Sequence, residues 1–363
     1  MQKILKGINN LGEVLQGSTK VLLVCDSSFP FLCIKDDIER MGVPYEVFDQ
    51  FTPNPLYEDV CMGVELFQSA GCDTILAVGG GSSLDVAKCI KLYCQMERDR
   101  LYLEQEYRDT FVKLIAIPTT AGTGSESTRY AVIYYDGKKQ SVTHDSIIPD
   151  VAILEPKVLK TLPMYQKKCT MMDALCQGIE SWWSVNSNEK SKKLSKEAVA
   201  IIMQWWREYI FENTAVSAEA IMNAANLAGQ AICITQTTAP HAFSYKLTSM
   251  FGLPHGHAVA ICLPEIWEYM VAHSDQCVDQ RGEIYLKTVF TDIANAMSCT
   301  SSFEAIQRFR SMLDELQIGL LHSEDIINNV KVLAQSVNPI RLKNNPVRLS
   351  EEVIEMIYKQ LMN

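Results

Sequence analysis

Up to about residue 160 the chain alternates short β-rich runs with helix-length segments; beyond it, apolar residues recur at helical spacing and strand-like runs all but vanish. Residues 20–25, 45–48, 74–78 and 113–117 are mostly apolar without alternation, and each run is bounded by Gly, Pro, Asp or Ser. Such a strand is buried on both faces, which requires helices on both sides of a parallel sheet. The expectation is therefore a doubly wound α/β domain over residues 1–160 followed by an all-helical domain over 161–363, with Pro163 and the acidic, proline-containing stretch before it marking the boundary. Residues 130–135 and 140–143, joined through Asp136-Gly137, predict a hairpin beside the sheet. Helical periodicity is clearest over 173–183, 197–209, 217–234 and 351–361.

The 363 residues suit two domains of ordinary size. A net charge of −10, from 33 Lys+Arg and 43 Asp+Glu, excludes duplex nucleic acid and anionic membrane as partners, since both demand a surplus of cations. The 12 cysteines form no C-x-x-C pair and sit in apolar runs, as buried thiols of a reducing compartment do. The first 17 residues lack an export signal's apolar core, and no uncharged apolar stretch reaches the roughly 18 residues of a membrane span. The expected setting is the cytoplasm and the expected partner a small molecule.

Where that molecule would bind is suggested by two loops. Residues 74–78 run into Gly79-Gly80-Gly81-Ser82-Ser83 and then a helical Leu84-Asp85-Val86-Ala87-Lys88. Glycines between a buried strand and a helix let a ligand approach the backbone, and the helix start offers N–H groups to a phosphate, so Gly80, Gly81, Ser82 and Asp85 are candidate cofactor residues. A tight turn that merely tolerates glycine is the alternative, and the spacing is not G-x-G-x-x-G. The next strand is followed by 118–126, rich in hydroxyls and glycine, with Thr119, Thr120 and Thr123 as candidates. Loops after neighbouring parallel strands share the carboxyl edge where α/β sheets bind ligands. Asp26 ends an earlier strand, where a carboxylate accepts from ribose hydroxyls and repels a 2′-phosphate, favouring NAD(H) over NADP(H).

In the helical half, Asp173 and Gln177 lie four residues apart on one helix face, and His241 and His255 follow 14 residues apart. One carboxylate and two imidazoles suit a divalent first-row ion, Fe²⁺ or Zn²⁺, with an amide oxygen as a weak fourth ligand. Taken singly, each His more often fills a hydrogen-bonded structural role, and an i,i+4 Asp/Gln pair is usually a solvated face. Tyr245 stands four residues after His241, on the same helix face.

The segments GGGSSLDVAK, IPTTAGTGSES, DALCQGIES, HAFSYKLTSMFGLPHGHAVAICLP and NNPVRLSEEVIEMI occur in the order and spacing of the iron-containing (group III) alcohol dehydrogenases, which the chain resembles over about residues 20–360. The resemblance implies a nucleotide-binding α/β domain, a helical metal-binding domain, and the architecture shared with dehydroquinate synthase. It assigns the GGGSS turn to the diphosphate, Asp26 and Lys139 to the coenzyme ribose, and the threonine loop to the coenzyme. Asp173, His241 and His255 match three metal ligands, with Fe²⁺ favoured. Gln177 departs from the family, which usually has His there, and Tyr245 stands where many members carry another histidine. The implied assembly is a homo-oligomer.

What this implies is reduction of an aldehyde to a primary alcohol by NAD(P)H, the metal polarising the carbonyl and Tyr245 assisting proton delivery. Within the family the chain resembles the phosphonoacetaldehyde reductases more than the butanol or propanediol enzymes. A phosphonate needs local cations, for which Arg129, Lys246 and His257 are the candidates. The alternatives are a broad primary-alcohol or acidic-sugar dehydrogenase, a non-redox cyclase relative, or a binding protein without metal.

Overall fold

The computed structural model describes residues 2–321 and 326–362. The chain divides into two compact units, Met1–Leu162 with Asn213–Met222, and Pro163–Glu212 with Asn223–Asn363. The first contains the strands β1 (Lys3–Lys6), β2 (Val21–Cys25), β3 (Tyr45–Phe48), β4 (Thr74–Gly79), β5 (Lys113–Pro118), β6 (Tyr130–Tyr135), β7 (Lys138–Thr143) and β8 (Val151–Leu154). Six of them form a parallel sheet in the order β1-β8-β5-β4-β2-β3, and β6 pairs with β7 as an antiparallel hairpin.

The unalternating strands are buried on both faces. Leu22, Val24, Ile75, Ala77, Leu114 and Ala116 join one core with Val60 and Val64 of α3 (Tyr57–Ser69) and Val86 and Ile90 of α4 (Gly81–Tyr93). Val21, Leu23, Leu76, Val78, Ile115 and Ile117, on the opposite face, are equally inaccessible. The short helices α1 (Leu11–Val14) and α2 (Lys35–Glu39) complete the helices before residue 160. The hairpin turns through Asp136 and Gly137, both at positive φ, the geometry of a two-residue turn whose twist matches the strands. Two strands exceed the sequence expectation: β8, four buried residues, and β1, a largely exposed edge paired only with β8.

Ten helices follow among the described residues: α5 (Met164–Trp183), α6 (Glu189–Arg207), α7 (Ala215–Thr235), α8 (Ala239–Phe251), α9 (His255–Ala272), α10 (Gly282–Ala296), α11 (Ser302–Leu316), α12 (Ile326–Ser336), α13 (Pro339–Leu342) and α14 (Glu351–Leu361). Their starts are written in the sequence, since Asn188, Ser301 and Ser350 each accept a hydrogen bond from a first-turn amide of α6, α11 and α14. Helix α14 buries Ile354, Ile357, Tyr358 and Leu361, a single stripe at helical spacing. The aromatic centre of the second unit is Trp183, edge-on to Trp267 at 5.7 Å and to Phe290 at 6.3 Å. No helix among the described residues is long and apolar enough to cross a membrane.

Candidate functional site

In the first unit, β4 and β5 are neighbours whose last residues, Gly79 and Pro118, are in register, so the glycine turn and the threonine loop leave the sheet at one edge. The loops are packed together. Thr119 N donates to Gly79 O at 3.0 Å, and a Cβ on Gly81 would stand 3.0 Å from Thr123 Cγ2. At Gly79 a Cβ would meet Ser83 Oγ at 2.2 Å and Asp26 Oδ2 at 2.9 Å, so only glycine fits between them. Asp26, just past β2, is held by the Ser83 hydroxyl at 2.9 Å and by Ser28 N at 2.8 Å. Helix α4 starts at Gly80-Gly81 with no side chain capping its first turn. Uncapped N–H groups, a backbone stripped of Cβ atoms and an anchored carboxylate fit the diphosphate and ribose of a dinucleotide.

Behind the loops, Lys88 is fully buried and donates to Ser125 Oγ at 2.9 Å, Thr128 Oγ1 at 3.1 Å and Tyr130 O at 2.8 Å. Asp85, one turn earlier, accepts from the Ser125 hydroxyl at 2.8 Å and Val132 N at 3.0 Å. Desolvation pushes its carboxyl above the ordinary value against the opposing charges of Lys88 and Lys139. Each Asp85 oxygen is thus engaged within the unit, and Asp85 holds the second loop in place. Lys139 lies on β7 opposite Tyr134. Arg129 has its guanidinium 2.7 Å from Asp145 Oδ1, so one of its edges is paired within the unit.

The second unit gathers the metal candidates. Asp173 sits in mid-α5, His241 in the first turn of α8, and His255 opens α9. One ligand atom from each lies within 4.8 Å of the others. Asp173 Oδ1 is 3.3 Å from His241 Nε2 and 4.0 Å from His255 Nε2. That oxygen is buried and accepts no hydrogen bond of good geometry. A buried carboxylate oxygen left so, facing two imidazole nitrogens, fits a divalent first-row cation. Burial alone would raise the Asp173 carboxyl; the adjacent His241 and His255 imidazoles and the Gln177 amide hold it below its usual value. Gln177 is buried one turn beyond Asp173 on the same helix. The approach of α9 to α5 depends on Gly256, where a Cβ would stand 1.9 Å from Cys169 O.

A further acid, which sequence reasoning passed over, completes the cluster. Glu180, fully buried on α5, accepts from Thr238 N at 3.3 Å, Thr238 Oγ1 at 3.1 Å and His241 N at 3.2 Å, while its Oε2 binds His241 Nδ1. Desolvation opposes a charge on His241, but Glu180 and Asp173 outweigh it and raise the imidazole to about 10. The available signal was spacing: Glu180 follows Asp173 by seven residues and Gln177 by three, one face of one helix.

Around this centre, the Tyr245 ring lies nearly parallel to that of His255, centroids 6.0 Å apart, and Lys246 is half-buried beside it. His257 is corrected: its Nδ1 bonds the Tyr165 hydroxyl at 2.7 Å and its Nε2 the Gly319 carbonyl at 2.8 Å. With both nitrogens engaged and burial lowering its basicity, it is a neutral structural residue, not a cation for substrate.

A nucleotide-type α/β unit joined in one chain to a helical unit with an Asp/His/His cluster, Asp173 and His241 buried and His255 half-buried, is the architecture of a metal-using, nucleotide-binding enzyme class, and comparison with known proteins narrows it. The family model for iron-containing alcohol dehydrogenase matches residues 4–156, and that for the Fe-containing alcohol dehydrogenase family, C-terminal, matches 168–362. The chain belongs to the iron-containing alcohol dehydrogenase family. It is 34% identical over 253 residues to aldehyde-alcohol dehydrogenase 2 of Entamoeba histolytica, a match covering 65% of this chain and 29% of that protein, so the chain spans under a third of that relative's length. Phosphonoacetaldehyde reductase of Streptomyces viridochromogenes is 30% identical over 294 residues, covering 77% of this chain and 74% of that protein. The fold matches that of sulfoacetaldehyde reductase from Bifidobacterium kashiwanohense, solved with NAD⁺, at a TM-score of 0.87 and 23% identity over 99% of this chain and 96% of that one.

Proposed function

We propose that the chain interconverts an aldehyde and its primary alcohol, with NAD(H) held by Asp26, the Gly79–Gly81 turn and Thr119, Thr120 and Thr123, and a divalent metal, Fe²⁺ favoured over Zn²⁺, held by Asp173, Gln177, His241 and His255. The observation that carries this reading is the buried Asp173 Oδ1 facing Nε2 of both histidines. A metal bound there supplies Lewis acidity to a carbonyl oxygen, and the nicotinamide supplies the hydride. The protein's own part is to fix these groups: His241 presents Nε2 because its Nδ1 is taken by Glu180, and Gly256 lets His255 approach Asp173. Tyr245, ring against His255, offers a hydroxyl to the oxygen that gains a proton. Asp26, pinned by Ser28 and Ser83, favours NAD(H) by repelling a 2′-phosphate.

The test is an aldehyde panel with NADH and NADPH, followed at 340 nm, on chelated enzyme and after adding back Fe²⁺ or Zn²⁺. Metal-dependent, stoichiometric NADH consumption is expected. No oxidation with any aldehyde and metal, or activity indifferent to chelation, refutes the reading.

A second, narrower reading is phosphonoacetaldehyde as the substrate, favoured by the Streptomyces relative. Of its three expected cations, Arg129 is paired with Asp145 and His257 is internally bonded, which leaves Lys246. Equal kcat/KM for phosphonoacetaldehyde and butyraldehyde sinks that reading. Cytoplasmic residence and homo-oligomeric assembly belong to the same proposal, the first supported by the mostly buried free thiols.

A further inference from the structure

Glu180 reaches the metal candidates through His241 Nδ1, not through the nitrogen that faces Asp173, and it is the most completely enclosed acid of the second unit's metal region. We infer that Glu180 is the positioning residue of the metal centre, fixing which nitrogen of His241 faces the metal and balancing the metal's charge; this rests on the metal reading above. A carboxylate with no solvent exposure is costly unless its lone pairs are filled. Here four donors fill them. Oε1 takes the Thr238 amide, the Thr238 hydroxyl and the His241 amide, and Oε2 takes His241 Nδ1.

The geometry is specific to this use. Thr238 precedes α8, Pro240 in its first turn has no N–H to offer, and His241 follows, so the two amides at the helix start that point outward converge on one oxygen from α5. Side chain and backbone of His241 are thereby clamped by the same carboxylate. With Nδ1–H held by Oε2, Nε2 is the nitrogen left to give up its proton and face a metal, and Nε2 is the atom 3.3 Å from Asp173 Oδ1. Charge points the same way. Asp173 and Glu180 together offset a divalent ion, and an uncharged side chain at position 180 leaves one positive charge buried without compensation. The hydroxyl of Thr238 is in turn spent on both Glu180 and Trp183 Nε1, which ties the clamp to the aromatic centre of the unit.

The experiment measures metal affinity directly, by competing the chelated wild type and the variants Glu180→Gln, Glu180→Asp and Thr238→Val against a chromophoric chelator for Zn²⁺, with thermal unfolding alongside. Glu180→Gln and Glu180→Asp are expected to weaken Zn²⁺ binding about 10- to 100-fold, the usual cost of losing such a partner. Thr238→Val, which removes a bond to the same carboxylate but spares Nδ1, is expected to lower the melting temperature while holding the metal within about threefold. Wild-type uptake with equal losses in all three variants, or with none in either Glu180 variant, overturns the inference and leaves the metal reading standing. A wild type that takes up no divalent ion overturns both. Histidine ¹⁵N NMR of the Zn²⁺-loaded wild type is independent of the Glu180 and Thr238 variants: the His241 ring signal, assigned through bonds from its own backbone resonances, is expected with a proton on Nδ1, and a proton on Nε2 refutes the inference.

Discussion

Replacing Gly256 with alanine adds one methyl group at the point where α9 meets α5. An ideal Cβ there would lie 1.9 Å from Cys169 O, 2.7 Å from Cys169 C and 3.0 Å from Asp173 Cβ. The obstruction is backbone, which cannot rotate away as a side-chain tip can. Restoring an ordinary separation of about 3.4 Å requires the helices to part by roughly 1.5 Å, and overpacking of this kind costs about 1–3 kcal/mol. His255 is the adjacent residue, and its Nε2 stands 4.0 Å from Asp173 Oδ1. Parting the helices stretches that separation toward about 5.5 Å, well outside the roughly 0.2 Å tolerance of metal–ligand distances. Gly256→Ala should therefore fold with reduced stability and bind metal at least tenfold more weakly. Gly12→Ala, where a Cβ meets nothing within 4 Å, is the matching control. The assay is chelator competition for Zn²⁺ together with urea unfolding of the metal-free forms. A Gly256→Ala protein that binds metal with wild-type affinity refutes the idea that this contact sets the His255–Asp173 spacing.

Other consequences are as direct. Lys88→Met keeps the volume but strands three acceptors, and should cost about 1–3 kcal/mol in urea unfolding and weaken NADH binding measured by fluorescence; unchanged coenzyme affinity would show that the second loop needs no such anchor. Tyr245→Phe preserves the ring against His255 and removes the hydroxyl, so kcat should fall by about tenfold or more with a changed pH profile; an unaltered rate and profile removes Tyr245 from the proton path. His257 is held neutral because burial depresses its basicity below the usual 6.5, only partly offset by the Gly319 carbonyl. The unfolded chain takes up a proton that the folded one refuses, so the stability His257 contributes is present above about pH 6.5 and drains away as pH falls below it. Urea midpoints from pH 8 to 5 should drop more steeply for the wild type than for His257→Gln, and parallel curves would contradict this.

The sheet was legible where burial on both faces suppresses alternation, as in β2, β4 and β5. It was not legible in β1, whose four residues are mostly exposed, or in β8, a four-residue run set between prolines that owes its place to pairing with β1 and β5. The Asp173, His241 and His255 cluster proposed to hold the metal stood out because residue type and spacing carry that chemistry. The partners of Arg129, Asp85 and His257 were not legible for one shared reason: Asp145, Ser125 and Val132, and Tyr165 and Gly319, lie 16 to 92 residues away, and no local pattern announces such pairings. Glu180 was passed over for the opposite reason, since an acid within a helix ordinarily marks a solvated face, and only tertiary packing, with Thr238 and His241 bonded to it from the start of α8, encloses it.

The clamp on His241 also ties local motion to occupancy. The amides of Thr238 and His241 reach solvent only when α8 frays at its first turn, and that fraying must pull both from Glu180 Oε1 and with them the His241 ring. Whatever holds Nε2 in place thus holds the turn closed. Deuterium uptake at those two amides becomes a clock for the site, running fast in the chelated protein and slowing as metal is added, while amides elsewhere on α8 keep their own pace.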